Sequence, residues 1–222
     1  MDGQLGIVFA GGEGPAPERA GRIVCGLAEK PLIAAADSGL ILAEAAGLEP
    51  DWIIGDMDSL DSGDRLLRYP AGKVIRHPAD KDFTDTELAF ALLRENGCGI
   101  IWIMGGGGGR LDHLLGIRDL FERDYFPRRW ITDGEDIRCI DGGGPPADSG
   151  LAMDLASGAV VSVFPLGSGP WEAESLGLKW PLGSAGWQRG FYGLSNVAVT
   201  GEVKISAGKG RFMIILEEQC QQ

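Results

Sequence analysis

Short, unbroken apolar runs recur along the first part of the chain. LGIVF (5–9), LIAAA (32–36), DWIIGD (51–56), KVIRH (73–77) and GIIWIMG (99–105) have strand length and little or no polar alternation. Between them lie helical patterns, over 17–29, through AEAAG (43–47), over TDTELAFALLREN (84–96) and over RLDHLLGIRDLFERD (110–124). Continuous apolar strands alternating with helices predict a parallel sheet covered on both faces. Thr84 followed by Glu87 predicts a capping box. Asp85 would then take the first helical position, where a carboxylate favours the helix dipole.

The pattern changes near residue 140. DGGGPPADSG (141–150) reads as a linker, and GAVVSVFPL, NVAVTGEVKIS and GRFMIILEE follow as strand-like runs. SAGKGR, between the last two, reads as a hairpin turn. This half is expected to be an antiparallel β domain of about 80 residues.

Composition narrows the functional classes. The chain has 222 residues, 44% hydrophobic and 23% charged, enough for a sizeable core. A net charge of −12 speaks against a basic nucleic-acid footprint and for a site that recruits cations. No stretch approaches the ~18 apolar residues of a membrane span, and the N-terminus lacks a basic, apolar leader. The four cysteines form no C-x-x-C pair, and free thiols in a reducing, cytoplasmic setting are expected.

Ligands of open parallel sheets sit at the carboxyl ends of the strands. There the chain places Asp37 after the second strand and Asp56 and Asp58 after the third. Asp80, Asp82 and Asp85 follow the fourth, and GGGGGRLDH (105–113) follows the fifth. Asp56 and Asp58 suit a turn. With Asp82 and Asp85 on the same edge, they also suit a hard cation such as Mg²⁺, held by carboxylates and completed by phosphates and water. Lys81 either neutralises its neighbours or contacts a phosphate. GGGGGRLDH lacks the Walker lysine and the last glycine of G-x-G-x-x-G. It reads either as a flexible turn or as a loop whose Gly108 and Gly109 amides and Arg110 guanidinium hold an anion. His113 either polarises a phosphate or pairs with Asp112.

Seven segments in order resemble thiamine pyrophosphokinases: ADSG (36–39), GDMDS (55–59), DKDFTDTELA (80–89), GGRLDH (108–113), FPL (164–166), GLKWPL (177–182) and GLSN (193–196). The resemblance implies a Rossmann-like, parallel-sheet ATP-binding domain over 1–141 and an antiparallel β-sandwich, thiamine-binding domain over 150–222. It implies a cytoplasmic homodimer with active sites between subunits. The reaction would be Mg²⁺-dependent transfer of diphosphate from ATP to the thiamine hydroxyl, releasing AMP. By position, Asp56, Asp58, Asp82 and Asp85 resemble the catalytic carboxylates, with Asp56, Asp58 and Asp82 on the metal. Asp37, Lys81, Gly108, Gly109, Arg110, Asp112 and His113 resemble nucleotide contacts, and Ser195 and Asn196 the pyrimidine pair. Trp180 is the candidate aromatic face for the cationic thiazolium, or else a core residue; Trp171 and Trp187 are weaker candidates. Ile41, Ile117 and Val197 stand where the family commonly has Asn, Asn and Glu, and these departures bear on nucleotide and vitamin contacts. Two rival readings are a diphosphokinase acting on hydroxymethylpterin and a non-catalytic nucleotide- or thiamine-binding homologue.

Overall fold

The computed structural model describes residues 3–60, 63–144 and 148–217. Its contacts divide the chain into two compact units. The first runs to Leu120 and includes Trp130–Asp133; the second holds Phe121–Arg129 and everything from Gly134. The fold is mixed α/β, with a large mixed sheet and a separate antiparallel one.

In the first unit the strands are β1 (Gln4–Ala10), β2 (Leu32–Ala36), β3 (Trp52–Gly55), β4 (Val74–Arg76), β5 (Cys98–Gly105) and β6 (Arg129–Ile131), in the order β6-β5-β1-β2-β3-β4. The ladders β5-β1, β1-β2, β2-β3 and β3-β4 are parallel. Ile7, Val8 and Phe9 of β1 have no exposed surface, as a strand buried on both faces requires. The helices are α1 (Pro17–Cys25), α2 (Gly39–Ala45), α3 (Asp85–Glu95) and α4 (Leu111–Leu120). α3 opens on the expected capping box: the Thr84 hydroxyl accepts from the Glu87 N–H at 3.2 Å, and the Glu87 carboxylate accepts from the Thr84 N–H at 2.8 Å. α4 stops at Leu120, four residues short of the helical pattern.

The second unit is a β-sandwich. One sheet runs β11 (Gly193–Val197), β9 (Val160–Leu166), β13 (Arg211–Glu217), β7 (Glu135–Asp141). The other runs β10 (Glu172–Leu176), β12 (Glu202–Lys209), β8 (Gly150–Asp154), and the pairings of both are antiparallel. Val161, Val163, Phe212 and Ile214 of the first sheet share one core with Ala173, Val203 and Ile205 of the second.

Two expectations need correction. NVAVTGEVKIS is not one strand: it supplies β11 and β12 to different sheets. SAGKGR is not a ladder hairpin, because β12 and β13 also belong to different sheets and Gly210, at φ +72°, makes the step between them. The second compact unit also takes in Phe121–Arg129 and β7. β7 pairs with β13 along its whole length, and Phe121–Arg129 is tied down by Arg211. That guanidinium stacks 3.5 Å from the Phe126 ring, donates to the Phe121 and Arg123 carbonyls at 2.8 and 2.7 Å, and pairs with Asp141. EDIRCID carried only a weak signal for β7: Ile137, Cys139 and Ile140 are buried, on both faces of the strand, and Arg138 is half-buried. Part of the 141–150 linker, Glu218 and Cys220 lie outside the described residues.

Candidate active site

The site of the first unit is built at the carboxyl ends of β2, β3 and β5. The backbone N–H of Asp37 donates to Ile54 O at 2.9 Å, which ties the end of β2 to β3. Gly55 ends β3 at φ +151°; a Cβ there would lie 3.2 Å from both the Asp37 Cβ and the Asp85 Cγ. Only glycine lets those two carboxylates approach each other across the strand end.

Asp56-Met57-Asp58 then makes a turn. Met57 sits at φ +67°, in the left-handed region, and its side chain is buried with Leu60 and Leu66 in the core beneath the sheet edge. The Asp58 N–H donates to Asp56 Oδ1 at 3.1 Å. With the methionine plugged inward, one oxygen each from Asp37, Asp56 and Asp58 falls within 4.8 Å of the others. Asp37 is also left-handed, at φ +50°, so two strained residues frame one acidic cluster. The segment that follows is anchored by Glu44 of α2, which pairs with Arg65 and accepts from the Tyr69 hydroxyl at 2.9 Å.

Electrostatics at the cluster are uneven. Burial pushes the Asp37 carboxyl above its ordinary range, the Ser59 hydroxyl donating at 2.5 Å opposes this, and Asp56 and Asp85 add repulsion. The Asp58 N–H holds Asp56 low, while hydrogen bonding and repulsion from Asp56 push Asp58 up. Asp37 Oδ1 and Asp85 Oδ1 are buried without a hydrogen bond. Lys81 Nζ lies 3.3 Å from Asp85 Oδ1 and 3.6 Å from Asp56 Oδ2.

These side chains open on a cavity of about 690 Å³ whose far wall is the glycine run. Gly106, Gly108 and Gly109 have positive φ, and Gly107 exchanges two backbone hydrogen bonds with Glu13, at 2.8 and 2.7 Å. Ile117 of α4 packs under this loop, its Cδ1 2.3 Å from where a Cβ of residue 106 would stand. Arg110 and His113 line the cavity; Asp112 holds the exposed Arg110 guanidinium through bonds at 3.1 and 2.5 Å.

The predicted residues thus distribute unequally. Asp37, expected as a nucleotide contact, joins Asp56 and Asp58 in the cluster. Asp82, expected on the metal, lines the cavity outside that cluster. Ser59 and Met57 were not singled out from sequence, although both lie in the GDMDS segment.

The second unit holds the remaining candidates. Asn196 is 4% exposed and spends its amide on the backbone: Oδ1 accepts from the Trp180 N–H at 3.1 Å, and Nδ2 donates to Trp180 O at 2.7 Å. It staples the GLKWPL segment to β11, a role that leaves it little to offer a ligand. Trp171 and Trp187 are anchored inward, donating to Leu166 O at 2.7 Å and Leu182 O at 3.1 Å. Trp180 is 53% exposed, with Lys179 Nζ 4.6 Å from its ring centre. Ser195 is exposed and left-handed, at φ +53°, its N–H donating to Ser162 Oγ at 3.0 Å.

Two strand-end loops, a carboxylate cluster and a glycine loop around one cavity define a phosphotransfer class of site. Comparison with known proteins agrees. Residues 26–126 match the family model described as thiamin pyrophosphokinase, catalytic domain. A curated thiamine pyrophosphokinase from Bacillus subtilis (strain 168) is 30% identical over 150 residues, which cover 66% of this chain and 68% of that protein. A crystal structure of thiamine pyrophosphokinase from Bacillus subtilis superposes with a TM-score of 0.76 at 26% identity, covering 97% of this chain and 99% of that one. Thiamin pyrophosphokinase from Candida albicans shares the fold at 14% identity, with a TM-score of 0.70 over 98% of this chain and 90% of that one. The chain belongs to the thiamine pyrophosphokinase family, a family of diphosphotransferases.

Proposed function

We propose that the protein transfers a diphosphoryl group from ATP to the hydroxyl of thiamine, giving thiamine diphosphate and AMP, with Mg²⁺ required. One observation carries this reading: Asp37, Asp56 and Asp58 converge within 4.8 Å, and the buried Asp37 Oδ1 has no hydrogen-bond donor. Like charges held that close call for a cation. An all-oxygen donor set beside a cavity of about 690 Å³ fits Mg²⁺. When bound, the ion would offset charge on the phosphate oxygens as the diphosphoryl group moves.

The chain's own residues supply the rest. The amides of Gly108 and Gly109, with Arg110, bind the phosphates; Asp82 and His113 face them from the cavity wall. The thiamine oxygen forms a bond to the β-phosphorus as the bond from that phosphorus to the AMP oxygen breaks. A carboxylate of the site takes the hydroxyl proton. In the second unit, the exposed Trp180 ring and Ser195 bind the vitamin, while Asn196 positions them from behind. The domains divide the work accordingly, nucleotide in the first unit and thiamine in the second. The enzyme works in the cytoplasm as a homodimer, a reading supported by family membership and by Phe191, Tyr192 and Leu194, exposed apolar residues at or beside the edge strand β11.

The test is AMP release from ATP and Mg²⁺, with thiamine and separately with hydroxymethylpterin. Thiamine-dependent AMP is expected. Folded protein that releases none with thiamine refutes the proposal, and release with the pterin alone reassigns the acceptor.

A further inference from the structure

Lys81 occupies an unusual place for a phosphate-binding lysine. It lies on the segment between β4 and α3, and its side chain is only 14% exposed. Its ammonium donates to Pro78 O at 3.1 Å and faces two carboxylates from different elements: Asp56 at the end of β3, 3.6 Å away, and Asp85 at the start of α3, 3.3 Å away. Both are themselves mostly buried, at 18% and 20%. Asp56 is therefore shared. Its Oδ1 accepts from the Asp58 N–H, inside the acidic cluster, and its Oδ2 looks toward Lys81.

We propose that Lys81 is a resident counter-ion that keeps the acidic cluster weakly attractive to a free divalent cation, so that the cation binds well only together with a polyphosphate. The inference rests on the cation site proposed above and adds the order in which its charges are met. Physically, an ammonium within 4 Å of Asp56 opposes a second positive charge on the same carboxylate. When a polyphosphate enters beside the glycine loop, its oxygens give Lys81 another partner, and the lysine's long, flexible stem lets it reach that anion. Asp56 is then free to take a full share of the cation. The cavity permits this: Lys81 lines the same 690 Å³ space as Gly108, Gly109 and Arg110.

A structural tether would behave in the opposite way, since removing it would loosen Asp56 and Asp85 and weaken every ligand. The experiment is therefore one of signs. Mn²⁺ binding to nucleotide-free protein is followed by electron paramagnetic resonance, and binding of Mg²⁺–tripolyphosphate by calorimetry, for wild type, Lys81→Met and Lys81→Arg. In Lys81→Met, Mn²⁺ alone is expected to bind at least about fivefold tighter and Mg²⁺–tripolyphosphate at least about fivefold weaker. Lys81→Arg, which keeps the charge, should leave Mn²⁺ affinity near wild type. Mn²⁺ binding that weakens or is unchanged in Lys81→Met overturns the counter-ion role. Tripolyphosphate binding that is unchanged overturns the transfer of Lys81 to the anion. Failure of both wild type and Lys81→Met to bind Mn²⁺, with or without tripolyphosphate, removes the cation site itself, and the role of Lys81 with it.

Discussion

Met57 offers a sharp test of how the acidic cluster is held. Its backbone is left-handed, at φ +67°, and its side chain is 8% exposed in the core with Leu60 and Leu66. A non-glycine residue in that conformation costs about 1–2 kcal/mol, and burial of the thioether chain contributes about 1.5–3 kcal/mol. The anchor therefore outweighs the strain and keeps both flanking aspartates turned to the cavity. Met57→Ala removes the anchor and keeps the strain, so a loss of about 2–5 kcal/mol is expected. Met57→Gly also removes the anchor but relieves about 1–2 kcal/mol of strain, against about 0.4–1 kcal/mol of extra chain entropy in the unfolded state. The glycine variant should therefore be the more stable of the two by about 1 kcal/mol, the reverse of the usual order of these residues. Urea unfolding followed by helical circular dichroism reads the first unit, where α1–α4 lie. An alanine variant more stable than the glycine variant by about 0.5 kcal/mol or more would refute the reasoning. Met57→Leu, which keeps volume and strain, should stay within about 1.5 kcal/mol of wild type.

Three further outcomes are expected. Asp37→Asn should abolish most turnover yet leave the protein at least as stable at neutral pH, because burial and neighbouring charges already disfavour the ionised carboxyl; thermal melts and the AMP assay together check this. Asn196→Ala strands the Trp180 N–H and C=O and should cost about 1–3 kcal/mol in urea unfolding of the second unit, together with a raised KM for thiamine. Burial opposes ionisation of Asp136, but Arg129 and Arg138 more than offset it and hold the carboxyl below its ordinary range. Its stabilisation is thus complete above the unfolded carboxylate range, near pH ~4, and is lost as pH falls through the lower folded value. Asp136→Asn should flatten the urea midpoint across that interval, and an unchanged slope would show that the ion pairs contribute nothing.

What the sequence made legible was mostly local or periodic. Runs such as LGIVF and LIAAA have no polar face, so they had to be strands buried on both sides, and the Thr84–Glu87 box is complete within four residues. The positions of Asp37, Asp56 and Asp58 at strand ends followed once the sheet was parallel. Their grouping did not follow, because Asp37 closes β2 and Asp56 and Asp58 follow β3, so they meet through strand order rather than spacing. Asp82 sits in a convincing acidic segment, yet the helix start gives the inward position to Asp85. The backbone role of Asn196 was hidden for a similar reason: a polar residue in a recognised segment suggests a ligand contact, and only the fold shows its amide turned onto Trp180. The step of β12 and β13 into different sheets was also hidden, since a glycine turn between two strands looks the same in sequence whether or not they pair.

The two backbone bonds between Glu13 and Gly107 have a practical consequence for engineering. They knit the loop after β1 to the loop after β5, so neither is an independent module. A chimaera that takes the glycine run from a relative while keeping this chain's AGGEGP turn would mismatch a ladder only one rung wide. Loop grafts in this region should therefore move residues 11–14 and 105–110 as a pair.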